Sequence, residues 1–465
     1  MDGAIVSAFI MYFCILTAIG YYFYHTMRSE TDFILANRSI NYWVTAIATQ
    51  ASDMSSWLFL GFPAAVYMHG IFELWTAIGL VIGMFLNWHY IAPRLRIATQ
   101  QYQSITLASF FAHRFPTYAT SLALVSSCMA ILFLTFYIGA SLAGLGHLFS
   151  SSLDINYSTG TVIGLLFAVL YTLLGGFIAV AWCDLFQGLF LLVMIVLVPV
   201  CGYYAVGGWT PIIAALHAKE LPLSLIPTWQ DAGYSILLAA GWGLGYFGQP
   251  HILTNFMAID DVHNLRYAKR VGITWQIIVL TAAACIGLIG VAYTGDTIVN
   301  PEDIFIMMAK GLLPSFLAGC ALCGILAATL STLDSHILIS GSILAEDVYK
   351  KLLGLQPTRQ TIVRISRLGS IIVSVVGLII AQGDSNTIYH LVNYAWAGLG
   401  SSFGPLVIMS LYFARHVRGA GAVAGIVVGG IVSGLWPYFN VTVLPLVPGF
   451  LSGLITIVLV SAMSE

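Results

Sequence analysis

Charge is what this sequence has least of. Only 8% of its 465 residues are Asp, Glu, Lys or Arg, against a hydrophobic share of 59%, whereas soluble domains carry about 25% charged residues. A water-soluble fold of this size could not cover so much apolar surface. The chain therefore reads as an all-α polytopic membrane protein, in which the bilayer rather than chain length sets the structural unit. A net charge of −2 excludes the basic footprint of a nucleic-acid binder. The seven cysteines, Cys14, Cys128, Cys183, Cys201, Cys285, Cys320 and Cys323, fall within or beside apolar runs and are odd in number, so they form no disulfide framework. Cys320-x-x-Cys323 has zinc-like spacing, but no second pair follows. There is no His-Glu-x-x-His and no Walker lysine. Gly243-x-Gly245-x-x-Gly248 matches a dinucleotide motif in letters only, because no strand precedes it. Gly400-Ser401-Ser402-Phe403-Gly404 is better explained by close helix packing than as a nucleophile elbow. No enzyme is expected.

Apolar runs of about 20 residues, the length that crosses a bilayer, predict thirteen spans at 4–24, 42–69, 72–92, 120–149, 157–177, 184–205, 232–256, 271–294, 311–345, 362–382, 387–414, 418–437 and 444–463. The first lacks the basic start and short core of a cleavable signal, so it is expected to remain as a span. With the N-terminus outside, the inner loops and helix ends hold Arg28, Arg38, Arg94, Arg96, Arg114, Arg266, Lys269, Arg270, Lys350, Lys351, Arg359, Arg364, Arg367, Arg415 and Arg418. Only Lys219 and Lys310 fall outside. Fifteen against two, together all seventeen Lys and Arg, is a positive-inside pattern that places Ser464-Glu465 in the cytoplasm.

Two spans are interrupted. The second contains Ala51-Ser52-Asp53-Met54-Ser55-Ser56-Trp57, where Ser and Asp compete for backbone hydrogen bonds. The seventh contains Gly241-Trp242-Gly243-Leu244-Gly245-Tyr246-Phe247-Gly248-Gln249-Pro250, where glycines and Pro250 undermine helix continuity. Broken spans in corresponding positions point to an inverted repeat with a binding site at its interface. The units are expected at about 42–205 and 232–414, flanked by peripheral helices at 4–24, 418–437 and 444–463, in one transporter domain.

An unwound span bares carbonyl oxygens, which a membrane protein tolerates beside protein or a wet cavity. Ala328, Ser331 and Thr332 share one face of the ninth span, at i, i+3 and i+4. Their carbonyl and hydroxyls can join the carbonyls of Ala51 and Met54 in a cage of five oxygens. Such a neutral cage suits a monovalent cation better than calcium, which recruits carboxylates. The alternative for Ser331 and Thr332 is a bond back to their own helix. Asp53, Asp184 and Asp334 are costly in the membrane, at about 2.5–3.5 kcal/mol each on insertion scales, so each is expected to attract the ion or to fix irregular backbone. Trp57, Tyr137, Trp242, Tyr246 and Trp396 can line one cavity, with apolar faces and cation–π attraction for an ammonium group.

In order along the chain, Ala51–Trp57, Gly175-Gly176-Phe177, Gly241–His251, Ser331-Thr332-Leu333, Glu346-Asp347-Val348-Tyr349-Lys350 and Tyr394-Ala395-Trp396-Ala397-Gly398 carry a resemblance. Over nearly its whole length the chain resembles the sodium/solute symporter family, closest to its bacterial sodium/proline carriers. The resemblance implies a LeuT-like five-plus-five inverted repeat formed by spans two to eleven. It implies Na+ as the co-transported ion, held by Ala51, Met54, Ala328, Ser331 and Thr332. Asp53, Ser55 and Ser56 occupy the family's sodium- and substrate-sensitive stretch, and Trp57, Tyr137, Trp242 and Tyr246 match positions that line the proline pocket. The implied function is sodium-coupled uptake of L-proline across the cell (inner) membrane. The alternatives are another small zwitterion or carboxylate as substrate, or a transporter-like membrane sensor. Three positions depart from the pattern. Asn255 stands where the family commonly has arginine, Ser56 where proline carriers usually have glycine, and Asp334 where a small hydroxyl is usual. With Asp184, Ser331 and Ser335, Asp334 is a candidate second cation site.

Overall fold

The computed structural model describes residues 2–24, 34–228, 231–295, 300–383, 388–439 and 443–464. Arg28, residue 387 at the start of the eleventh predicted span, and Glu465 lie outside the described residues. Helices are the regular structure of the described residues, with one isolated bridge between Ile40 and Ile259. Helices or broken helices occupy the predicted apolar runs, the fifth and sixth of which share one helix. Among the described residues, nine helical stretches are long and apolar enough to cross a membrane unaided.

The first span is α1 (Gly3–Tyr24). The second is two pieces, α2 (Tyr42–Ala51) and α3 (Gly61–His69), separated by non-helical Asp53–Ser55 and a 3-10 turn at Ser56–Leu58. Next come α4 (Leu74–Leu86) and the short α5 (Ala92–Gln101) and α6 (Leu107–Arg114). Thr106 and Ser109 close α6 with a reciprocal capping box, which satisfies two of the backbone donors a helix start leaves free. After α7 (Ala119–Leu153), the fifth and sixth spans run together as α8 (Tyr157–Ala205). They are joined at Gly176 (φ 58°, ψ −162°), a backbone conformation that costs glycine least. No polar loop separates them, so the sixth span begins beside Gly176 rather than at 184.

The short α9 (Trp209–Ala218) leads to the second broken span, α10 (Asp231–Gly243), a 3-10 segment at Leu244–Gly248, and α11 (Pro250–Ala258). Then follow α12 (Leu265–Thr294), α13 (Ile304–Leu312), α14 (Ser315–Ser342), α15 (Arg359–Ala381), α16 (Ile388–Tyr412), α17 (Gly419–Leu435) and α18 (Leu446–Met463).

Helix α14 is buried on every side from Ala318 to Ser342, as expected of a helix that is apolar all round. It packs against α1, α7, α8 and α15. That fixes Ala328, Ser331 and Thr332 at the centre of the molecule. Helix α10 lies against α4, where Gly79 and Gly83 let the two backbones meet at Ala239 and Gly243, the small-residue contact that membrane helices favour. At one end of the molecule Arg38 donates to the carbonyls of Thr99, Ser104 and Met257 at 3.1, 2.7 and 2.7 Å. Arg96 Nε donates to Ile259 O at 2.8 Å beside it. These bonds tie the approaches to both broken spans together. The opposite end opens in a vestibule of about 950 Å³ lined by Phe72, Glu73, Tyr234, Tyr389 and neighbours.

Candidate functional site

The site grows from the first break. Asn41 caps α2 by accepting the Val44 N–H at 3.0 Å, and the helix ends as Ser52 N donates to Ala48 O at 2.9 Å. Ser55 Oγ then accepts the Trp57 N–H at 3.3 Å and starts the next turn, the competition with helix that short polar side chains offer. Ser56 turns its hydroxyl toward α7 at Gly144, where a Cβ would collide with it. Ser55 and Ser56 thus shape the break and its packing, while Asp53, Met54 and Trp57 line the adjacent cavity.

Across from the break stands the hydroxyl face of α14. Ser331 Oγ lies 2.8 Å from Ala51 O and 3.0 Å from Ala328 O, and Thr332 Oγ1 lies 3.1 Å from Ala328 O. The bond back to their own helix is therefore present for both hydroxyls, and Ser331 makes a second contact outside it. The bonds to Ala328 stay within the helix, but the bond from Ser331 to Ala51 crosses from α14 to the end of α2. These bonds link four of the oxygens expected to form the cage, all from fully buried residues, and Met54 lies in the unwound segment that follows Ala51.

The second break faces the first. Tyr246 Oη donates to Asp53 Oδ2 at 2.6 Å and accepts from Gln276 Nε2 of α12 at 2.9 Å. Asp53 is thereby a link between the two broken spans. The carbonyls freed by the 3-10 segment have side-chain donors: Asn87 Nδ2 to Tyr246 O at 2.9 Å, Gln249 Nε2 to Gly245 O at 3.3 Å, and Trp396 Nε1 to Trp242 O at 3.0 Å. This meets the requirement that buried backbone groups be paired. Gln249 also donates to Trp396 O at 3.0 Å. At Gly245 any side chain would run into the Trp396 indole, so only glycine allows this approach.

These bonds assemble an aromatic box. Trp57 and Trp242 have ring centroids 5.1 Å apart, Trp242 and Trp396 6.4 Å, and Tyr246 stands edge-on to Trp396 at 5.0 Å. With Asp53, Met54, Leu80, Tyr137 and Val392, the first three line a cavity of about 10 Å³. That is barely room for one water, so an organic solute enters only as the rings part. Tyr389, edge-on to Trp242 at 5.5 Å, separates the box from the vestibule.

The remaining predicted residues fall around this centre. Pro250 is the first residue of α11, where its missing N–H costs nothing, and follows extended Gln249 (φ −79°, ψ 111°). Asn255 Nδ2 donates to His251 O at 3.2 Å and reaches Ser52 Oγ only at 3.5 Å. Asp184 and Asp334 are both buried, with Tyr171 Oη donating to Asp334 Oδ2 at 2.7 Å. One oxygen of each carboxylate, Oδ1, has no hydrogen-bond partner among the described residues. Gln276, Asn87 and Gln249 were not singled out in the sequence. Their signal was a buried amide in an otherwise apolar span, weaker than that of a carboxylate because an amide is cheaper to bury.

Comparison with known proteins agrees with this architecture. A family model described as "Sodium:solute symporter family" matches residues 33–429. The high-affinity proline transporter PutP of Bacillus subtilis (strain 168) is 37% identical over 453 residues, 96% of this chain and 95% of the relative. The sodium/proline symporter of Escherichia coli (strain K12) is 35% identical over 476 residues, 99% and 94% of the two chains. The osmoregulated proline transporter OpuE of Bacillus subtilis is 35% identical over 474 residues, covering 100% and 96%. Among solved structures, a substrate-bound outward-open Na+-coupled sialic acid symporter superposes with a TM-score of 0.84 at 17% identity, covering 99% of this chain and 98% of its own. On the family match, the near-complete coverage of these relatives and the shared fold, this chain belongs to the sodium:solute symporter family.

Proposed function

We propose that the chain takes up L-proline by sodium-coupled symport with alternating access, Na+ being the co-transported ion. The observation that carries the reading is the bond from Ser331 Oγ to Ala51 O at 2.8 Å. It brings the hydroxyl face of α14 to the open end of the first broken span, directly beside the aromatic box. The relatives named as proline transporters support the solute.

In this reading Na+ is bound by the carbonyls of Ala51, Met54 and Ala328 and the hydroxyls of Ser331 and Thr332, a hard cation among oxygens. The ion fixes α2 against α14 and so holds Trp57 in place, which lowers the ordering cost of solute binding. Trp57, Trp242, Trp396, Tyr137 and Tyr246 enclose the pyrrolidine ring, their faces attracting its ammonium. Ser55 and Ser56 shape that pocket from the break, Asp53 couples it to Tyr246, and Asp184, Asn255 and Pro250 act on coupling and structure. The repeat units are residues 42–205 and 232–414. The N-terminus lies outside and the C-terminus in the cytoplasm, so the Arg38 end is the inner one.

One ion suffices energetically. A potential of about 100 mV contributes roughly 2.3 kcal/mol per charge and a tenfold sodium gradient about 1.4. Together, about 3.7 kcal/mol supports accumulation on the order of 500-fold. The test is uptake of labelled proline into proteoliposomes with and without an imposed sodium gradient, in the presence of excess unlabelled proline or of other small zwitterions. Uptake that needs the gradient and is blocked by proline above all is expected. Equal uptake in sodium-free choline buffer at constant pH removes the coupling, and stronger block by another zwitterion reassigns the substrate.

A further inference from the structure

Beside the aromatic box two histidines meet across the seam between α11 and α14. His251, the second residue of α11, and His336 of α14 are both fully buried. His336 Nε2 lies 3.1 Å from His251 Nδ1, with the ring planes at 85° and centroids 4.4 Å apart. At that distance one ring donates its N–H and the other accepts, so the two are held in matched tautomers. Tyr137, which lines the box from α7, packs on the pair, with its ring centroid 4.3 Å from that of His336 and 6.2 Å from that of His251. About one turn further along each helix, Thr254 of α11 and Ile339 of α14 line a second small cavity of about 20 Å³, room for roughly one water. The pair therefore stands between the solute pocket and a gap at the α11–α14 seam.

The two helices it joins differ in length and continuity. Helix α14 is continuous and buried among four neighbours. Helix α11 has only nine residues, all buried, and begins after the extended residue Gln249, so the break in its span lies next to the pair. The remaining nitrogens, His251 Nε2 and His336 Nδ1, are buried with no hydrogen-bond partner among the described residues. Closed and dry, the pair keeps one mutual bond. Parted and wet, all four nitrogens can be solvated. A hydrogen bond that water can replace contributes little net free energy, which makes this a contact that opens rather than a permanent staple.

We propose that His251 and His336 are positioning residues of an inner latch, whose mutual hydrogen bond ties α11 to α14 and keeps the pathway beneath the solute pocket shut until the helices part. The proposal rests on the alternating-access reading above but not on the identity of the solute or the ion.

The experiment reads the alkylation rate of Thr254→Cys in the full-length carrier, with the native cysteines replaced, in sodium and without proline. His336→Leu removes the bond while keeping an apolar side chain, and is expected to raise the rate about fivefold, the worth of one net hydrogen bond. His336→Gln, whose amide can donate to His251 Nδ1, is expected to stay near the parent rate. The same contrast is expected at the partner, with His251→Leu fast and His251→Gln slow, and serves if either leucine variant fails to fold. Unchanged rates in the leucine variants overturn the latch. Equal acceleration by leucine and glutamine overturns it too, because the cause is then side-chain volume. A latch contrast that persists while uptake proves independent of sodium sinks the coupling reading alone. Sodium-driven uptake without the contrast sinks the latch alone.

Discussion

At the scale of single residues, the decisive contrast is between hydroxyls that bond only within their own helix and one that reaches across to another. Ser331 does both, with Ala328 and Ala51 as its partners. Ser331→Ala or Thr332→Ala is expected to raise the sodium needed for half-maximal uptake tenfold or more, the worth of about 1.4 kcal/mol at a site that loses one oxygen. Ser401→Ala is the control, because its hydroxyl bonds Leu446 O at 3.3 Å on α18. Equal effects of the three would remove the cage. Tyr246 poses a different question, since its hydroxyl both donates to Asp53 and accepts from Gln276. Tyr246→Phe should leave Asp53 Oδ2 short of a donor and weaken proline binding about tenfold, with the ring still in the box. Equilibrium binding of labelled proline checks this, and an unchanged affinity takes the hydroxyl out of the site.

At the scale of elements, function depends on where helices stop. The first break is held against α7 by the fit of Ser56 to Gly144. Gly144→Ala is expected to destabilise the carrier by about 1–3 kcal/mol through overpacking. Ser56→Gly should recover much of that loss in the double variant, because the two sites share one space. Thermal unfolding of the four variants in detergent gives the cycle, and simple additivity would show that the contact is not the cause. A second tie joins the segment before α13 to the end of α7, where His147 Nε2 and Ser151 Oγ lie 2.8 and 3.1 Å from Asp303 Oδ1. Burial pushes the Asp303 carboxyl up, but these partners outweigh it and hold the group below its ordinary 3.8. A carboxylate depressed in the folded state contributes stability above its unfolded pKa, and that contribution is lost as pH falls through the folded value. Unfolding measured between pH 6 and 3 should therefore show an acid-side loss that Asp303→Asn reduces. Parallel curves for parent and variant would show that the tie contributes nothing.

At the scale of the whole molecule, the structure is closed at the Arg38 end and open at the vestibule, with the aromatic box between them. The cavity proposed for the solute, about 10 Å³, must widen before it binds, so ion and solute should each favour the other's binding by the same factor. Saturating sodium is expected to raise proline affinity five- to 150-fold, the usual range of such coupling, and proline to raise sodium affinity equally. Titrations in both directions check the reciprocity. Affinity for one ligand that ignores the other would leave the two sites uncoupled.

Much of this was legible in the chain itself. Bilayer-length apolar runs fixed the helices, because hydrocarbon leaves a spanning backbone few other ways to pair its polar groups. The two breaks were legible because Ser, Asp, Gly and Pro weaken helices locally. The meeting of Gln276 with Tyr246 and of His251 with His336 was not, because each joins residues 30 and 85 positions apart. The proposed cage lay between these cases. Spacing put Ser331 and Thr332 on one face, but only packing aimed Ser331 at Ala51, 280 positions away. The sequence alone determined where helices run and where they fail, since those are local contests between side chain and backbone. The tertiary structure alone decided which freed oxygens, rings and imidazoles confront one another, since that depends on how whole helices pack.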